Sequence, residues 1–433
     1  MKNLPSDDFR VSISDDNFQS YLYKEGIIVT EGTVAYGDIK VISKVSCHEI
    51  YIRDLEGIQY FTALTHLECS SNQLTSLDVS KNTALTHLEC SSNQLTSLDV
   101  SKNIALTVLG CESNQLTSLD VSKNTSLTVL GCRSNQLTSL DVSKNTDLTH
   151  LECSSNQLTS LDVSKNIALI HLWCSDNRLT SLDVSKNNAL SYLDCRDNEL
   201  TSLDVSKNTD LTQLECSSNQ LTSLDVSKNT ALTQLWCSGI PMGSQGLTSL
   251  DISKNTALND LRCSYNKLTS LDISKNTALT ILDCESNKLK SLDVSKNTAL
   301  TWLRCGANQL TSLDVSKNNA LTYLNCGCNH LISLDVSKNT ALTQLCCIAN
   351  ELTSLDVSKN KSLAHLIYDE YKTEVKGFDD NKIEVKGFND SWGDNHDEID
   401  WEEEAFNFLT GGQYGDYDDF NGDWDRLDDE RGA

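Results

Sequence analysis

The chain has no apolar run long enough to cross a membrane as a helix, which excludes an α-helical membrane span. Residues 1–10 carry no charged-then-apolar leader, so the expected location is the cytoplasm, with leaderless export or an earlier start site as the alternative. Basic residues are scarce, 35 Lys and Arg against 61 Asp and Glu, and the net charge is −26. Nowhere do they form a basic stripe, and so acidic a chain repels a phosphate backbone; nucleic acid is not expected as a partner. Proline occurs only twice. Nucleophile–base pairs, phosphate loops and paired catalytic carboxylates do not stand out, so the chain is read as a non-enzyme with no catalytic residue, cofactor or metal assigned.

Cysteine, by contrast, is plentiful: there are 17. Fourteen recur at one position, from Cys69, Cys90 and Cys111 through to Cys326 and Cys347, in steps of 21 residues except for 26 between Cys237 and Cys263. One period reads Leu64-Thr-His-Leu67-Glu-Cys69-Ser-Ser-Asn72-Gln and then Leu74-Thr-Ser-Leu77-Asp-Val79-Ser-Lys-Asn82-Thr-Ala84. Both halves follow Leu-x-x-Leu-x-(Cys or Val)-x-x-Asn, the leucine-rich-repeat template. Alternation in Leu67-Glu68-Cys69 sends Leu67 and Cys69 to one face and His66, Glu68 and Ser70 to the other. Leu64, Leu67, Cys69, Leu74, Leu77, Val79 and Ala84 are expected to point inward. One coil alone cannot bury them; coils stacked at about 4.8 Å make a continuous core and a parallel sheet. Asn72 and Asn82 are expected to form two ladders, their amides satisfying backbone groups at the corners. The fold class is thus an α/β-type repeat solenoid, mostly β, with a cysteine ladder in its core.

The units between Leu64 and Asn360 resemble the 21-residue class of bacterial leucine-rich-repeat proteins, and most closely the cysteine-ladder internalins (the internalin J type). That resemblance implies a right-handed curved superhelix, cysteines stacked inside, and a surface that binds other macromolecules. Residues 1–63 look like the N-terminal cap of such proteins, with Ser14 as helix N-cap, Asp15 and Asp16 in the first turn, Phe18, Tyr21 and Leu22 on one face, and Gly26 at the end. Caps of this kind sometimes hold calcium; Ile27 to Ile39 offers only Glu31 and Asp38, and no calcium is assigned. Ile42, Val45 and Cys47 read as a first, imperfect half-coil. Residues 64–362 are the solenoid of fourteen coils, interrupted by an insertion at 239–246 that contains Pro241 and should project while Leu235, Cys237, Leu247 and Leu250 stay inward. Residues 363–390 read as a decaying coil and a hairpin made of the two copies Glu374-Val-Lys-Gly-Phe378 and Glu384-Val-Lys-Gly-Phe388. Residues 391–433 are an acidic aromatic tail with 15 Asp and Glu against Arg426 and Arg431. There Asp397 can cap a helix bearing Ile399, Phe406 and Leu409; Tyr414, Tyr417, Phe420 and Trp424 follow, as a docking segment or a disordered solubilising tail.

Half of every coil barely varies, whereas three outward positions of the other half do. The first runs from His66 and His87 through Trp302 and Tyr323 to Gln344, the second from Glu68 through Trp173, Trp236 and Arg262 to Cys346, and the third includes Glu112, Arg133 and Arg196. The diversified face is the expected binding face for a protein or glycan. Trp173 with Tyr192, Trp236 with Arg262, and Trp302 with Tyr323 lie on neighbouring coils, each pair expected as a flat exposed anchor. A purely structural or surface-adhesive repeat protein is the rival reading, and a secreted effector with activity in the tail is a minor alternative. The aspartate column Asp78 to Asp356, with a lysine three residues on, reads as a solvated charged face. The ladder cysteines read as buried thiols, not disulfides or zinc ligands, and Cys328 and Cys346 as exposed. His66/His87 and His150/His171 invite a bridging metal, but neighbouring repeats create such pairs automatically.

Overall fold

A computed structural model describes residues 5–241 and 243–377, and the strand Glu384–Gly387; the tail from 388 on, with its expected helix and aromatic segment, lies outside the described residues. The N-terminal cap begins with a short antiparallel pair, Arg10–Ser12 against Thr33–Ala35, around the helix Asp16–Lys24. Asp15, not Ser14, caps that helix: its carboxylate accepts the Asn17 and Phe18 N–H groups at 2.9 Å, while the Ser14 hydroxyl donates to Asp54. A carboxylate at this place also faces the positive end of the helix dipole, which the hydroxyl cannot match. Phe18 and Leu22 are buried, Tyr21 half-buried, and Gly26 closes the helix at φ +84°.

From Lys44–Ser46 onward the chain winds as a parallel ladder. Fourteen three-residue strands, His66–Glu68 through Gln344–Cys346, follow one another in strict register, and His365–Tyr368 adds a further rung. The central leucine of each repeat strand and the cysteine after it are buried, as are Leu64, Leu74, Leu77 and Val79 and their repeats. Ala84 departs from expectation: it is exposed, because it sits in the turn before Leu85, outside the strand alternation. The ladder thiols donate to carbonyls one coil on, Cys90 Sγ to Gly110 O at 3.4 Å and Cys111 Sγ to Gly131 O at 3.3 Å.

Both asparagine ladders form. Asn93 Nδ2 donates to Cys69 O at 3.0 Å and its Oδ1 accepts Leu74 N–H at 2.9 Å, locking two coils together. Asn103 Nδ2 donates to Val79 O and Asn82 O, whereas its Oδ1 has no partner among the described residues. The aspartates of the uniform face do more than meet solvent: Asp78 Oδ1 accepts Ser80 N–H at 2.9 Å, and the same Asx turn recurs in coil after coil, holding each carboxyl below its usual range.

Another corner was not foreseen. The second residue after each ladder cysteine (Ser71, Ser92, Asp176, Tyr265, Ala307, Cys328) takes φ near +50° in all but the inserted coil. At the C-terminal end the two copies of the Glu-Val-Lys-Gly-Phe repeat do not make a hairpin. Glu374–Lys376 pairs in parallel with Ser354–Asp356, completing another coil, and Glu384–Gly387 joins the long sheet. The repeat register aligns Val375 with Leu355; the turn expected at Asp379-Asp380-Asn381 lies outside the described residues.

Candidate functional site

The diversified positions share one sheet surface, and register sets who meets whom. Along the second outward position run Glu152, Trp173, Asp194, Glu215, Trp236, Arg262 and Asp283. Strands this close force large side chains to cover one another, so the face divides into zones.

In the first rungs His66 and His87 stack, ring centroids 4.3 Å apart. Glu68 is held by Lys44 at 2.7 Å and by the Ser46 hydroxyl, which keep its carboxyl below its ordinary range. Gly110 and Gly131 then leave bare backbone, and the carboxylates of Glu89 and Glu112 lie over them; a Cβ on Gly110 would meet Glu89 Oε2 at 1.9 Å. Burial, then the charges of Glu112 and Glu68, push Glu89 up to about 7.

The second zone is aromatic. His150 and His171 stand 4.6 Å apart, Trp173 lies 5.3 Å from His171, and Tyr192 lies 5.3 Å from Trp173. All four side chains are half-buried, leaving a continuous aromatic surface across three rungs.

The third zone is closed. Tyr192 Oη donates to Glu215 at 2.6 Å, and Arg196 bridges Asp194 and Glu215 at 3.1 and 3.0 Å. Arg196 and Arg262 also lie 5.3 and 4.1 Å from the Trp236 ring, while Trp236 Nε1–H donates to Asp260 at 3.2 Å. Trp236 is only 7% exposed and Arg262 9%, so this pair is not the free anchor expected from its outward register. Arg196, two coils before Trp236, was not associated with it in the sequence, because only a long side chain laid across the face closes that gap. Beyond, Arg304 ties Asp283 to Glu285, and Trp302 stacks on Tyr323 with centroids 5.0 Å apart and planes 14° off parallel; both rings are half-buried.

Cys328 and Cys346 are half-buried, less open than expected. Burial pushes their thiols up to about 11 and about 12, which keeps them protonated and slow as nucleophiles at neutral pH. Among the described residues no group of three His, Cys, Asp or Glu stands together as a metal cluster, and no helix is long and apolar enough to cross a membrane.

The column of cysteines has a counterpart in a solved structure, the functional domain of InlJ from Listeria monocytogenes, which includes a cysteine ladder. The two chains are 41% identical, the match covers 82% of this chain and 79% of that one, and the TM-score is 0.78. This chain belongs to the internalin J-like leucine-rich-repeat family.

Two further bacterial structures share the fold alone. The Leptospira interrogans leucine-rich-repeat protein LIC12759 matches with a TM-score of 0.67 at 22% identity, over 80% of this chain and 94% of that one. YopM from Yersinia enterocolitica WA-314 matches with a TM-score of 0.61 at 24% identity, over 78% and 71%. Among curated sequences, internalin J of Listeria monocytogenes serotype 4b (strain F2365) is 44% identical over 69 residues, which are 16% of this chain and 8% of that protein. No family model matches. Within the internalin J-like scaffold, local packing leaves the aromatic zone around Trp173 and the Trp302–Tyr323 pair half-exposed.

Proposed function

We propose that this protein is a non-catalytic scaffold that takes a protein partner on the diversified sheet face, centred on Trp173. The observation that carries this reading is the cluster of His150, His171, Trp173 and Tyr192, which keeps aromatic surface open to solvent while Trp236 on the same face is fully covered. Exposed aromatics held rigid by their neighbours lose little entropy on binding and tend to concentrate binding energy. Trp302 and Tyr323 make a smaller second anchor on the same face.

Capture from cell extracts with the intact chain, compared with Trp173→Ala and Trp302→Ala, tests the reading. A protein that binds the intact chain should lose about 2 kcal/mol of affinity, roughly 30-fold, to Trp173→Ala. Retention of every captured protein by both variants, together with dependence on coil number alone, would hand the case to a purely structural repeat. A captured species that proves to be glycan would replace the protein partner.

A further inference from the structure

We infer that the cluster around Trp173 receives an arginine side chain of the partner, its guanidinium stacked on the Trp173 indole and paired with the Glu152 carboxylate. The inference rests on the reading of this face as the binding surface and names what it binds.

The chain itself displays what such an indole takes as cover. Trp236 occupies the same rung position as Trp173, three coils further on. Arg262, beside it in register, lies 4.1 Å from its ring, and Arg196 lies at 5.3 Å. Asp260 links the pair, accepting Trp236 Nε1–H at 3.2 Å and standing 3.4 Å from Arg262 Nε. An indole, a guanidinium and a carboxylate thus close one another off.

At Trp173 the indole and the carboxylates are present without the guanidinium. In register beside it stand Glu152 on one side and Asp194 on the other. Among the described residues no cation lies over the Trp173 ring; the cation–ring contacts are those of Trp236 and of Tyr36 with Lys40. Asp194 is engaged by Arg196 at 3.1 Å. Glu152 is half-buried, and burial raises its carboxyl above the usual range although the Ser154 hydroxyl and the Ser154 N–H, at 3.0 Å, both donate to it and Arg133 acts on it through space. An added cation removes that cost. His150, His171 and Tyr192 wall the cluster with flat rings, the shape a planar guanidinium matches and a round ammonium does not. The net charge of −26 draws a basic segment in from a distance.

The test uses the full chain carrying 5-fluorotryptophan and titrates it with tetra-arginine amide at physiological salt, with tetralysine and tetracitrulline amides alongside. Tetra-arginine should move the Trp173 fluorine resonance and leave Trp236 in place. Trp173→Ala should weaken binding about tenfold, and Glu152→Gln, which keeps the indole and the fold, should weaken it several-fold. Equal binding of tetracitrulline, equal binding of tetralysine, or unchanged affinity in both variants would overturn the inference. A chain that captures a protein through Trp173 yet ignores tetra-arginine would keep the binding face and discard the guanidinium.

Discussion

Thr149 Oγ1 lies 2.8 Å from His150 Nδ1 and 3.0 Å from the carbonyl oxygen of Thr128 one coil back. A hydroxyl has one proton and a carbonyl can only accept, so Thr149 donates to Thr128 and accepts from His150 Nδ1–H. Neutral His150 therefore carries its proton on Nδ1 and turns the Nε2 lone pair outward. Thr65 with His66 and Thr86 with His87 repeat the arrangement. Ile170 stands where the threonine would precede His171, and His171 Nδ1 has no partner among the described residues. Long-range nitrogen–proton NMR of the neutral imidazole should find His150 in the Nδ1–H form, and Ile170→Thr should bring His171 into the same form. An Nε2–H signature at His150 in the unaltered chain would break this account.

Glu89 gives the protein a pH dependence of its own. Its carboxyl is raised from an ordinary 4.5 to about 7, first by burial and then by Glu112 and Glu68. A raised folded-state value means the unfolded chain releases the proton more readily. The stability Glu89 contributes is therefore complete below pH 4.5 and is lost as pH rises towards 7. The aspartate column acts in the opposite sense: carboxyls lowered by Ser N–H bonds, as at Asp78, contribute above their ordinary 3.8 and lose that contribution in more acidic solution. The two windows do not overlap. Urea unfolding at pH 5 and pH 8 should show the intact chain more stable at pH 5, with the difference reduced in Glu89→Gln. An identical difference in that variant would clear Glu89 of the effect.

The core was legible because each coil states it again: Leu67, Cys69 and Val79 are buried where alternation places them. The surface was legible only to the level of register. Trp173 and Trp236 look alike in sequence, yet one stays open while the other is sealed by Arg196 and Arg262, a matter of side-chain reach across coils that no local pattern encodes. The left-handed corner at Ser71 and its repeats was invisible for another reason: serine, alanine and tyrosine do not advertise positive φ as glycine or asparagine do. The seal on Trp236 has a measurable consequence. Trp236→Ala opens a cavity and strips Arg262 of its cover, so it should cost about 3–5 kcal/mol in denaturant unfolding. Trp173→Ala, half-exposed, should cost about 1 kcal/mol or less. Equal costs would mean the two indoles are packed alike.

The thiols should report their burial directly. The ladder cysteines are at most 3% exposed and their thiols lie above the usual range, so alkylation at pH 8 should be slow at all of them until the chain unfolds. Cys328 and Cys346 should react first, yet more slowly than a free thiol, being raised to about 11 and about 12. Mass spectrometry of partly alkylated protein reads the order, and early modification at Cys111 or Cys174 would contradict the buried column.

The insertion after Cys237 interrupts one asparagine ladder, and that defect can be repaired. Leu235, Cys237, Leu247 and Leu250 remain buried on either side of it, so the register survives. In the regular coils an asparagine lies 19 residues after the leucine whose N–H it accepts, as Asn93 does for Leu74 and Asn219 for Leu200. The residue 19 after Leu221 is Ile240, and the column passes from Asn219 to Asn266, which donates to Cys237 O at 2.9 Å. Deleting 241–245 restores the 21-residue spacing and should change stability by no more than about 1 kcal/mol, as corner insertions generally do. Adding Ile240→Asn to that deletion supplies an acceptor for Leu221 N–H and donors for Cys216 O and Cys237 O, and should raise stability by about 1 kcal/mol or more over the deletion alone. Gly239→Ala in the full-length loop should go the other way, since its Cβ would come within 2.0 Å of the Tyr265 carbonyl oxygen, a backbone atom with little freedom to move. Denaturant midpoints of the three variants decide it: if Ile240→Asn adds nothing to the shortened chain, the ladder at that corner is not continued by an asparagine.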